Sequence, residues 1–106
     1  MRRLAFVGSS QADLRDFPER KAGFQLDRVQ RGLEPDDWKP MVTIGSGVRE
    51  IRVKEASGAF RLIYVATFAE AVFVLHAFQK KTQRAPMRDI ELATARFKEL
   101  ARRMAR

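Results

Sequence analysis

The residues of this chain that could do chemistry are almost all cations. Arg49 and Arg52 lie in one alternating segment, Arg61 near the start of the next, and Lys80, Lys81 and Arg84 close behind a third. Tyr64, His76 and Phe78 add aromatic groups to the same segments. Arginines and lysines set among aromatics can form a site for phosphates and bases. The same set can cut RNA without a metal. An arginine stabilises the charge of a pentavalent phosphate, a lysine crowded by other cations exchanges its proton near neutral pH, and the RNA's own 2′-hydroxyl is the nucleophile. The same pattern also fits a solvated strand face with Tyr64 and Phe78 in the core, and these residues alone leave both readings open. A single histidine in an apolar strand reads as a hydrogen-bonded core residue rather than a base, so His76 is expected to be structural.

Other machineries are missing. The chain has no cysteine, which excludes disulfide scaffolds, zinc ribbons, iron–sulfur sites and thiol catalysis. With one histidine there is no imidazole cluster for a metal, and Ser9, Ser10, Ser46 and Ser57 all lack a nucleophile-elbow context. The adjacent acids Asp36 and Asp37 read as a solvated pair in a proline-rich loop rather than an ion site. Gly45-Ser46-Gly47 precedes a strand and lacks both the third glycine of a dinucleotide fingerprint and the Lys-Ser/Thr of a P-loop, so it reads as a turn. No metal and no cofactor are expected.

The elements that must position the cations fit one domain spanning 1–106, since 106 residues leave little room for a second. The formal net charge is +8 and the pI about 10.8, so the natural partner is a polyanion. Residues 77–106 hold nine of the 21 Lys/Arg and three of the 13 Asp/Glu, which concentrates the excess at the C-terminal end. Membrane readings fail. The apolar run Leu4 to Val7 is too short for a signal peptide, and the 17 residues from Leu62 to Phe78 carry Glu70 at their middle and read as two strands. The expectation is a soluble, cytoplasmic protein.

Leu4 to Val7 is a strand candidate. Ser10 and Asp13 resemble a capping box that starts a helix near Gln11, interrupted at Phe17-Pro18. A second helix runs from Pro18 to about Gln30, with the stripe Ala22, Leu26, Val29 and Leu33 and a stop at Gly32. Glu34 to Gly47, with two prolines and two glycines, reads as a loop. Strands follow at Val48 to Lys54, Phe60 to Thr67 and Ala71 to Phe78, the first two joined by a hairpin at Ser57-Gly58. Pro86 opens a C-terminal helix with Ile90, Ala93, Phe97, Leu100, Ala101 and Met104 on one face, acids in its first turn and arginines at its end. The fold class is α+β: an antiparallel sheet with two N-terminal helices and a C-terminal helix packed on it. Antiparallel pairing carries Arg61 toward Phe78 to Lys81, and a meander lets Arg49 and Arg52 flank the same region.

The segments Val48-Arg49-Glu50-Ile51-Arg52, Phe60-Arg61-Leu62-Ile63-Tyr64 and His76-Ala77-Phe78-Gln79-Lys80-Lys81-Thr82 resemble the HigB-type, phage-derived branch of the RelE/ParE toxin superfamily. The resemblance covers nearly the whole chain. It implies a toxin of a toxin–antitoxin pair that cleaves mRNA on the ribosome, inhibits translation and is restrained by a helix-turn-helix antitoxin. It marks Arg61, Lys80 and Lys81 as catalytic cations and Arg49 as the residue that positions RNA, with Arg52, Tyr64, His76, Phe78 and Arg84 as further RNA contacts. Ala85 departs from the Ser or Thr expected before the helix-opening proline, a missing cap typically costing ~1 kcal/mol. The superfamily also contains topoisomerase poisons of the ParE kind; Lys80-Lys81-Thr82 argues for the RNA-cutting side. A non-catalytic nucleic-acid-binding module using the same patch is the other alternative.

Overall fold

The computed structural model describes residues 1–81 and 86–105. Along the chain it contains β1 (Arg3–Phe6), α1 (Ser10–Asp13) running into a 3₁₀ turn (Leu14–Asp16), α2 (Glu19–Gln30), β2 (Trp38–Pro40), β3 (Val48–Glu55), β4 (Gly58–Val65), β5 (Ala71–Lys80) and α3 (Met87–Met104). The five strands form one sheet in the order β1-β5-β4-β3-β2. β1 pairs parallel with β5, from Arg3 opposite Ala71 to Phe6 opposite Val74, and the other pairings are antiparallel.

Two apolar layers sandwich this sheet. On one face Ala22, Leu26 and Val29 of α2 pack over Ile51, Val53, Leu62, Tyr64, Val72 and Val74. On the other, Ala93 and Leu100 of α3 pack over Val48, Ile63, Val65, Phe73 and Leu75. β4 and β5 are buried on both faces because helices cover both, which is why their sequences read as continuous apolar runs. Each fully buried large side chain contributes about 1.5–3 kcal/mol by area removed from water. The 62–78 stretch is therefore a pair of central strands, and among the described residues no helix is long and apolar enough to cross a membrane.

The helix boundaries follow from local chemistry. Pro18, in extended conformation, precedes α2. Gly32 at φ +84° ends it, with the Leu33 N–H donating to the Arg28 carbonyl at 2.9 Å in a Schellman-type closure. Leu33, expected to continue the buried stripe, is instead exposed, because the chain has already turned away. Ala93 and Leu100 bury the expected face of α3, while Ile90, Phe97 and Met104 pack beside them partly buried. Pro86 stands at its N-terminus without a side-chain cap. Ala85, like Thr82, Gln83, Arg84 and Arg106, lies outside the described residues.

Two local expectations are corrected. Ser10 is not a cap: fully buried, it donates its hydroxyl to the Val74 carbonyl at 2.8 Å, and Ser9 takes the N-cap position without a side-chain capping bond to the helix. The segment 34–47 is not all loop, since Trp38–Pro40 adds an edge strand to β3. Pro40 is compatible with that strand because an edge leaves one row of N–H groups unpaired.

Candidate functional site

Strand parity divides the expected cluster. Successive side chains on a strand point to opposite faces. Glu50 and Arg52 therefore share the α3 face of the sheet with Arg61, while Arg49 lies with Ile51 and Val53 on the α2 face. The register places Arg52 opposite Arg61 and Arg61 opposite Phe78, so three strands bring these side chains into one row. Lys80, two residues beyond Phe78 on β5, continues the same face opposite Ala59. The approach of Arg61 to Phe78 expected from antiparallel pairing is thus present; the flanking position expected for Arg49 is not.

At the centre of the row is a residue the motifs did not single out. Glu50 is buried, its side chain 3% exposed, and its Oε1 lies 3.4 Å from Arg61 Nε, 3.8 Å from Arg52 Nε and 4.0 Å from Lys39 Nζ. A carboxylate buried among three cations from β2, β3 and β4 fixes where they point. Arg61, 12% exposed at its side chain, is the most enclosed of the three, and its Nη1 also donates to the Phe60 carbonyl at 3.2 Å. Arg52 Nε is buried and has no hydrogen-bond partner among the described residues. The patch remains net cationic, with donors available for an anion.

His76 occupies the junction between this row and α3. A β-bulge between the β4 positions Ile63 and Tyr64 sets its register. Its Nδ1 lies 3.0 Å from Asp13 Oδ2 and its Nε2 2.6 Å from Asp89 Oδ1, and the residue is 5% exposed. Arg96 completes the network: Nη1 donates to Asp13 Oδ2 at 2.9 Å and to the Leu75 carbonyl at 2.8 Å, and Nη2 to Ser9 Oγ at 2.7 Å. Both ring nitrogens are thus engaged, in keeping with a structural histidine. The ring stacks on Phe78 with centroids 5.3 Å apart and planes 20° from parallel. α1, β5 and the first turns of α3 are in this way tied together next to Arg61.

The α2 face holds the remaining residues. The Arg49 guanidinium sits 4.0 Å from the centroid of the Trp38 ring and donates from Nη1 to Glu34 Oε2 at 2.8 Å. Tyr64, directly opposite Arg49 and 1% exposed, has a hydroxyl with no well-aligned hydrogen-bond partner among the described residues. The Arg49 guanidinium stands close enough to the phenol oxygen to act on it both as a charge and as a donor, short of a well-aligned hydrogen bond. Burial pushes the Tyr64 phenol above its ordinary value and outweighs Arg49, which pulls the other way. For Arg49 burial acts downward, but Tyr64 and Glu34 outweigh it and raise the guanidinium further, so it is always charged. Lys81 is exposed just past the end of β5, and Arg84 falls outside the described residues.

An N-terminal strand parallel to the last one, α2 on one face, an antiparallel meander and a C-terminal helix across the other face make a small α+β domain consistent with a RelE-like fold. Residues 12–98 match the family model described as phage derived protein Gp49-like (DUF891). The chain belongs to that family, a RelE/HigB-like toxin family in the toxin–antitoxin context. A search of curated proteins finds no match to the chain.

Proposed function

We propose that the protein is the toxin of a type II toxin–antitoxin pair of the HigB kind, a cytoplasmic, metal-independent endoribonuclease that cuts mRNA on the ribosome. The observation that carries this reading is the row Arg52–Arg61–Phe78, continued by Lys80 and anchored on buried Glu50, in a chain of a toxin-like family. Such a row offers what RNA cleavage needs. Arg61 binds the non-bridging oxygens of the scissile phosphate and stabilises the charge that grows on them, held in place by Glu50 so that little reorganisation is required. Phe78 offers a face against which a base can lie. The 2′-oxygen attacks phosphorus, its proton passes to a base, the bond to the 5′-oxygen breaks, and that oxygen takes a proton from an acid. Lys80 or Lys81 serves in these proton transfers. The products are a 2′,3′-cyclic phosphate and a 5′-hydroxyl. A cognate helix-turn-helix antitoxin covers the site until it is needed.

The test is expression from a tightly controlled promoter without a partner, followed by mapping of mRNA 5′ ends. The expected result is growth arrest with new 5′ ends inside translated messages. Normal growth with intact message, in cells where the protein accumulates, overturns the reading. Arrest with whole message and a DNA-damage response would instead identify a topoisomerase poison. Salt-sensitive RNA binding with no cut, even on ribosomes, would identify a non-catalytic binding module.

A further inference from the structure

β2 is too short to cover the whole outer edge of β3. Its pairing begins at Trp38 opposite Ile51, and the Arg52 N–H donates to the Asp37 carbonyl at 2.9 Å. Before that the chain has crossed to α2, where the Asp36 N–H donates to Gln25 Oε1 at 2.9 Å. Backbone groups two residues apart on a strand point to the same side. Lys54 therefore aims its N–H and carbonyl out of the edge that Arg52 shares with Asp37. The carbonyl accepts from Lys21 Nζ at 2.7 Å; among the described residues no acceptor meets the N–H.

Between this open edge and α2 lies a cavity of about 410 Å³. Val53 on the sheet and Phe24 on the helix give it an apolar wall. Phe24 is 57% exposed, away from the side of α2 that buries Ala22, Leu26 and Val29. An apolar cavity of about 150 Å³ takes up a benzene-sized group, so one large apolar side chain has room here. The rim is cationic, with Arg20, Lys21, Arg52 and Lys54 against Asp36. That acid is already engaged by Gln25 Nε2 at 2.8 Å and faces Arg28 Nε at 3.7 Å. Lys21 is paired with Glu55 at 2.9 Å, whereas Arg20 and Lys54 have no ion pair among the described residues.

We propose that this edge is the docking site of an acidic segment of a partner protein, laid as an added strand beside residues 52–54. Alternate side chains of such a strand fall on opposite faces of the sheet. One apolar side chain, level with Val53, enters the cavity against Phe24. Its two neighbours, level with Arg52 and Lys54, are acids beside those cations. A backbone carbonyl of the segment accepts from the Lys54 N–H. A nucleic acid carries charge on every backbone link and has no aliphatic side chain for the cavity, so the edge and the apolar wall together favour a polypeptide. The proposal does not depend on the cleavage reading.

The probes are short, end-blocked, fluorophore-labelled peptides that alternate glutamate with leucine, glutamate with serine, or lysine with leucine, and a labelled oligouridine. Anisotropy is followed as each is titrated with the full-length protein at fixed ionic strength. Saturable binding of the glutamate–leucine peptide is expected, about tenfold or more tighter than the glutamate–serine peptide, with no binding of the lysine–leucine peptide. The dissociation constant of the glutamate–leucine peptide should rise about tenfold in Phe24→Ser, which removes the apolar wall, and severalfold in Lys54→Glu. Both side chains are exposed, so both variants fold. Hydrogen exchange of the Lys54 amide should slow in the complex. Parental peptide affinity in the two variants overturns the proposal. So does a serine or lysine peptide that binds as tightly as the glutamate–leucine one, or a Lys54 amide whose exchange the peptide leaves unchanged. Oligouridine binding that weakens in both variants, with no binding of the glutamate–leucine peptide, overturns it in favour of a nucleic-acid surface.

Discussion

Arg61 Nε lies 3.4 Å from the Oε1 of Glu50, and both side chains are largely withdrawn from water. The pair joins β4 to β3 on the α3 face, and it explains how an arginine between apolar strands holds one orientation. A charge buried beside one partner is strongly perturbed when that partner goes. Glu50→Gln keeps the shape and removes the charge, leaving Arg61, Arg52 and Lys39 to repel one another. Lys39 and Arg52 are exposed enough to hydrate, so the expected loss is about 1–3 kcal/mol rather than the full cost of an orphaned buried ion. Urea unfolding with an unchanged denaturant slope measures it. If the variant is as stable as the parent, Glu50 does not organise the row.

Arg61 itself is expected to matter for rate more than for folding. Arg61→Ala should lower message cleavage by about 10²–10³, the typical cost of removing a preorganised group that meets developing charge. Arg61→Lys should recover little of it, because an ammonium has the charge without the planar fork that meets two phosphate oxygens. Single-turnover cleavage on programmed ribosomes reads both variants, with circular dichroism as the control for folding. Cleavage at parental rates in Arg61→Ala would remove this arginine from the mechanism.

Arg96 is the most heavily engaged cation among the described residues. Its contacts to Asp13, Ser9 and the Leu75 carbonyl join α3 to α1 and β5. Arg96→Met fills much of the same volume but strands those acceptors and leaves Asp13 and His76 without their neighbour. The expected cost is about 2–4 kcal/mol, which in a domain of this size lowers the thermal midpoint by roughly 10 °C or more. A shift of only a few degrees would show that the network is not a main support of α3.

Gly45 is required for a packing reason rather than a conformational one. A Cβ there would run into the ring of Phe97 on α3. Gly45→Ala must push that ring aside, at a typical overpacking cost of 1–3 kcal/mol. Gly45→Ala combined with Phe97→Leu should regain part of the loss, since the two positions share one space. Strict additivity of the two changes in denaturant unfolding would refute the contact.

What could be read from the residues alone, and what could not, divides along the range of the interactions. The helices and the β3–β5 meander follow from local periodicity, and the pairing of Arg61 with Phe78 follows once β4 and β5 are joined by a short turn. The split between Arg49 and Arg52 was also legible: residues three apart on a strand point to opposite faces, and the same parity puts Glu50 beside Arg52. β2 was hidden because Trp38–Pro40 lacks alternation and ends in proline, and only pairing with β3 makes it a strand. The partners of His76 come from residues 13, 89 and 96. Nothing local links them; Asp89, for instance, reads as an acid placed for the helix dipole. The parallel contact of β1 with β5 is likewise a decision of the whole topology.

Tyr64 gives a stability signature at alkaline pH. Its phenol is raised above the ordinary value of 10.0 by burial, with Arg49 only partly opposing. Between that value and the higher one in the folded chain, the native state keeps a proton that the unfolded state has lost. Stability from this group is therefore fully present below about pH 10 and falls as pH rises, by up to about 1.4 kcal/mol per pH unit, until the native phenol ionises too. Tyr64→Phe has no such proton to lose. The gap in stability between parent and variant should be flat through neutral pH and widen in the variant's favour above about pH 10. Because the chain has one tyrosine, phenolate absorbance follows the native ionisation directly and should lag behind that of the urea-unfolded protein. A native phenolate titration that coincides with the unfolded one would mean that the Tyr64 hydroxyl is solvated rather than buried.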